Sequence, residues 1–129
     1  MTPERLKLVQ QLNQALTDAG GTATLDDLVA QAREGRVQIW HRGDSLAITE
    51  LLGLPQKTVL NVVACGGKLA EIKALEPEIE AFARAHGCAY MMTHGRSAWS
   101  RIGRRTGWVP VAMRFMKSLP EPPNKEALQ

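Results

Sequence analysis

The chain has 129 residues, 44% of them hydrophobic, and a formal net charge of +3, which suits one domain burying about two-thirds of its unfolded surface. Two cysteines, Cys65 and Cys88, are too few for a disulfide framework and lack the paired spacing of a zinc site. They read as buried thiols in a reducing compartment, and no metal is expected. No apolar run approaches the roughly 20 residues of a membrane span, and Met1 to Arg5 carries Glu4 instead of opening a signal core. These features predict a cytoplasmic protein without membrane association.

In chain order, Thr2-Pro3-Glu4 combines a capping hydroxyl, a first-turn proline and an early acid, so a helix starts there. Leu6, Val9, Leu12 and Leu16 give its apolar side, and Gly20-Gly21 ends it. Thr24 caps a second helix with Asp26 and Asp27 in its first turn; Leu25, Leu28, Val29 and Ala32 form its apolar side before Gly35. A β region follows. Val37, Ile39 and His41 alternate with Gln38, Trp40 and Arg42, Gly43-Asp44 turns the chain, and Ser45 to Leu52 returns. After the turn Gly53-Leu54-Pro55-Gln56, Thr58 to Ala64 is apolar except for Asn61, as suits a central strand covered on both faces. These three strands form an antiparallel meander.

Beyond Gly66-Gly67, Leu69, Ile72, Leu75, Ile79, Phe82 and Ala83 mark a long helix ending at His86-Gly87. Pro77 lies within it and predicts a kink or break near Ala74 to Glu76, because an interior proline costs about 3 kcal/mol. Cys88 to Thr93 is the next strand, parallel to Thr58–Ala64 because a helix separates the two. A short helix over Ser97–Arg104 and a final strand over Val109–Met116 follow. The domain spans 1–119, and 120–129, with Pro120, Pro122 and Pro123, is a flexible tail. The class is α/β in the α+β sense: two N-terminal helices, a meander, then helix-strand-helix-strand with a parallel pair at the centre.

Charge is unevenly spread. Between Ala81 and Pro120 there is no acid, while Arg84, Arg96, Arg101, Arg104, Arg105, Arg114 and Lys117 all fall there. Such a basic face suits a phosphate-bearing ligand, a nucleic acid or an acidic protein. Arg96 sits at a strand-to-helix turn and either braces the turn or reads an anion with its fork. Trp40, Trp99 and Trp108 offer a stacking surface or, as aromatics do more commonly, core and interface packing. Arg96, Trp99, Arg101, Arg104 and Arg105 are the candidate partner-binding residues.

The stretch Ala81-Phe82-Ala83-Arg84-Ala85-His86-Gly87-Cys88, then Gly95-Arg96-Ser97-Ala98-Trp99, then Thr106-Gly107-Trp108-Val109-Pro110 resembles the GCN5-related N-acetyltransferase (GNAT) superfamily at a helix exit and at the approach to its last strands. Glu34-Gly35-Arg36-Val37-Gln38-Ile39-Trp40 and Cys65-Gly66-Gly67 are similar to small GNAT-like proteins encoded by phages and prophages. The resemblance implies an acyl-CoA cleft between the two parallel strands, with Cys65, Gly66, Gly67 and Lys68 against the diphosphate at a helix N-terminus. Three departures stand beside it. The glycine positions of the superfamily's diphosphate loop fall near Ala70 and Ile72, the position of its thiolate-protonating tyrosine falls on Gly103, and the one tyrosine, Tyr90, lies in the preceding strand. Glu50, near the end of a meander strand, and His94 are the weak candidates for a general base, the commoner reading of Glu50 being a solvated strand-end carboxylate; His41 is a third titratable group, and neither histidine has an evident partner. The reading is therefore a phage or prophage GNAT-fold protein with a degenerate acyl-CoA site. It would be a non-catalytic virion, assembly or interaction protein, located in the host cytoplasm or the virion and bound to a phage or host protein. The alternatives are an active N-acetyltransferase using acetyl-CoA and a nucleic-acid-binding accessory protein.

Overall fold

The structure, a computed structural model, describes residues 2–94 and 104–121. The chain divides into two compact units, Met1–His94 and Gly95–Gln129.

The first unit is built on a four-stranded sheet of order β1-β2-β3-β4. Helix α1 (Pro3–Asp18) starts as its sequence dictates: Thr2 accepts a hydrogen bond from the Arg5 amide at 3.2 Å, and Pro3 opens the first turn. Its buried side is Leu8, Leu12 and Leu16. Leu6, expected to join them, is half exposed, because six residues of helix place it about 120° around the axis from Leu12. Helix α2 (Leu25–Arg33) carries a reciprocal capping box between Thr24 and Asp27 and buries Leu28.

Strands β1 (Val37–Arg42), β2 (Ser45–Gly53) and β3 (Thr58–Gly66) form the antiparallel meander. Gly43 turns β1 into β2 at φ 58°, a conformation glycine tolerates without a Cβ penalty. Between β2 and β3 the register slips: Ile48 pairs with Ala64 but Thr49 with Val62, leaving Val63 as an extra residue of β3. Val63 and Ala64 therefore both pack with α1 and α2, while Val62 and Cys65 pack with α3.

Helix α3 (Leu69–Ala85) covers the opposite sheet face through Leu75, Ile79 and Ala83, which pack on Ala47 and Leu60. The break expected near Ala74 to Glu76 is not there: the helix runs through Pro77 as one element. Pro77 sits exposed, while Leu75 and Ile79 on either side of it are buried against the sheet. Burial of such side chains stabilises by roughly 1.5–3 kcal/mol each, enough together to offset the missing hydrogen bond. Gly87, at φ 71°, ends the helix. Strand β4 (Met91–Thr93) then pairs parallel with β3, Leu60 opposite Met91 and Val62 opposite Thr93. It is shorter than the Cys88–Thr93 span expected, though the Ala89 amide already reaches the Thr58 carbonyl at 2.9 Å.

In the second unit, most of the helix expected over Ser97–Arg104 lies outside the described residues. Arg104–Thr106 is a single 3-10 turn. Over Val109–Met116, where a final strand was expected, the described residues are irregular and carry no strand. A strand pattern states which face would be buried, and it becomes a strand only where another strand supplies hydrogen bonds. Of the expected tail, residues 122–129 lie outside the described residues.

Candidate functional site

The start of α3, where the cofactor loop was expected, is assembled from three distant pieces of chain. Lys68 is the N-cap residue and provides no side-chain cap of its own. Its amide instead donates to Ser45 Oγ at 2.9 Å, and the Gly67 amide donates to Gln11 Oε1 at 3.1 Å. The Ser45 hydroxyl, from a side chain only 1% exposed, donates in turn to Glu71 Oε1 at 2.7 Å. Glu71 lies in the first turn of α3, where its negative charge faces the positive end of the helix dipole. Its carboxylate also lies on the backbone of the β1–β2 turn: a Cβ at Gly43 would stand 3.0 Å from Glu71 Cδ.

Both expected cofactor glycines have a packing role. A Cβ at Gly66 would meet Leu8 Cδ1 at 3.0 Å and Leu12 Cγ at 3.4 Å. At Gly67, φ is 120° and a Cβ would stand 2.7 Å from the Ser45 Cα, closer than real Cβ atoms come. Gly67 thus lets α3 start directly on β2. Cys65, the fourth member of the set, packs with the α3 cluster, and burial pushes its thiol pKa up. Gly67, Lys68, Ser45, Glu71 and Gln11 line a cleft of about 300 Å³ whose other walls come from Glu4, Lys7 and Leu8 of α1 and from the turn at Gly43 and Asp44. The parallel pair is in place, and β3 continues through Val63, Ala64, Cys65 and Gly66 beyond the last residue it pairs with in β4.

The candidate bases lie apart from this loop. Glu50, in β2, is half-buried opposite Asn61, whose Nδ2 donates to Glu50 Oε1 at 3.0 Å. That bond fixes the Asn61 amide, and its Oδ1 is buried without a hydrogen-bond partner. His94 is exposed, two residues beyond Met92, which is level with Asn61. His41 is exposed on β1, and Tyr90 is half exposed just before β4. On the α3 face, Trp40 stacks edge-on to Phe82 with centroids 5.4 Å apart. Its Nε1 donates to Thr49 Oγ1 at 2.9 Å, and Thr49 donates to Gln38 at 2.8 Å. This tryptophan is therefore a packing residue with its polar handle satisfied. Of the expected partner-binding set, Arg96, Trp99 and Arg101 lie outside the described residues. Arg104 opens the 3-10 turn, and Arg105 within it is exposed. Among the described residues no His, Cys, Asp and Glu group could hold a metal, and no helix is long and apolar enough to cross a membrane.

Reasoning from sequence did not single out Gln11, Ser45 or Glu71. Each had only a faint signal: Ser45 follows the Gly43-Asp44 turn, and Glu71 is a first-turn acid three residues after the N-cap.

No family model matches the chain, and no curated protein matches it in sequence. Solved structures do match in shape. An aminoglycoside acetyltransferase from an uncultured soil sample superposes with a TM-score of 0.60 at 11% identity, covering 88% of this chain and 89% of its own. An acetyltransferase of Trypanosoma brucei gives 0.59 at 12% identity, covering 88% and 94%. A probable acetyltransferase gives 0.58 at 12% identity, covering 96% and 97%. The fold is GNAT-like. Within a GNAT-like fold the meander, the parallel β3–β4 pair and the intervening α3 are the parts the sequence resemblance anticipated. At these identities the likeness extends to the fold alone.

Proposed function

We propose that this chain is a GNAT-fold binding protein whose acyl-CoA site is degenerate. One observation carries the reading: at the loop where a diphosphate would lie, the Gly67 and Lys68 amides already serve Gln11 and Ser45. A first-turn carboxylate, Glu71, is tied in beside them. A diphosphate seated there would have to displace two neutral acceptors and approach a fixed negative charge. The residues present do not suit that group, so no transfer step is derived through it. Neither candidate base is positioned by a partner that would activate it: Asn61 donates to the Glu50 carboxylate, and His94 stands exposed. The resemblance to phage and prophage proteins extends the reading to a virion, assembly or interaction role in which a phage or host protein is the partner. The acid-free stretch after Ala81 would then supply the basic contacts.

The alternative is an active N-acetyltransferase. It is favoured by the shared fold of acetyltransferases and by the end of β3, which runs on past its pairing with the parallel β4 while staying paired with β2. Calorimetric titration with CoA and acetyl-CoA separates the two. The proposal expects no saturable heat up to millimolar ligand, whereas a micromolar Kd with either compound overturns it. Binding to random-sequence DNA that weakens steeply with salt would instead favour a nucleic-acid role for the basic stretch.

A further inference from the structure

We draw no further inference here: the strongest candidate, the cleft between α1, the β1–β2 turn and the head of α3, belongs to the site already described, and its one buried polar side chain, Ser45, is already hydrogen-bonded to Glu71 and to the Lys68 amide.

Discussion

Replacing Ser45 with alanine removes one hydroxyl and affects two elements far from it in sequence. The side chain is buried, donates to Glu71 and accepts from the Lys68 amide. A hydrogen bond to a charged carboxylate contributes about 1.5–3 kcal/mol, and an N-terminal cap about 1 kcal/mol. Glu71 is only half-buried, so water recovers part of the first contribution, leaving an expected loss of about 2 kcal/mol. At about 4 °C per kcal/mol for a domain of this size, Tm should fall by roughly 8 °C. Urea unfolding followed by far-UV dichroism measures the loss, and Glu71→Gln with the double variant completes a cycle expected to show about 1 kcal/mol of coupling. A Ser45→Ala protein within about 0.5 kcal/mol of the parent, or a cycle without coupling, would refute the assignment of Ser45 as the tie between β2 and the first turn of α3.

Gly67→Ala should cost about 2 kcal/mol or more in the same unfolding assay, because φ 120° and the Ser45 backbone both oppose a Cβ. Pro77→Ala should stabilise by about 2 kcal/mol: the amide it restores can reach the Lys73 carbonyl, while the looser unfolded chain takes back part of the roughly 3 kcal/mol. The Cys65 thiol should react with iodoacetamide more slowly than a free cysteine at the same pH, since burial holds it protonated. Its linkage has a definite sign. With the folded pKa above the unfolded one, its contribution is neutral at lower pH and destabilising as pH rises past the ordinary thiol value, a slope that Cys65→Ala should abolish.

Much of the fold is legible in the chain because the signals are local and consistent. Thr2-Pro3 and the Thr24–Asp27 box each fix a helix start within one turn of sequence, and the β-branched run of β3 announces a covered central strand. The departures have one origin, which is that distant packing decides them. Leu6 and Leu8 lie two residues apart, and only the angle to Leu12 separates the exposed one from the buried one. Pro77 shows its backbone cost in the sequence, but not the burial of Leu75 and Ile79 that offsets it. Val109–Met116 has a strand's alternation, but a ladder needs a partner, and alternation does not state where one is. The candidate site is legible as a location and illegible as chemistry. Gly66-Gly67 marks a tight place, yet a glycine looks the same whether it admits a phosphate or a serine backbone. Only the register that brings Ser45 to Gly67 decides which.

The ties at the head of α3 join residues 56, 26 and 23 positions apart. Each therefore closes a long loop, which costs entropy before it returns any energy. An excised α3 peptide would have none of them, and its first turn would fray. The beginning of this helix is set by the assembled sheet and by α1, so a change as remote as Gln11 acts on the same turn as Lys68 itself.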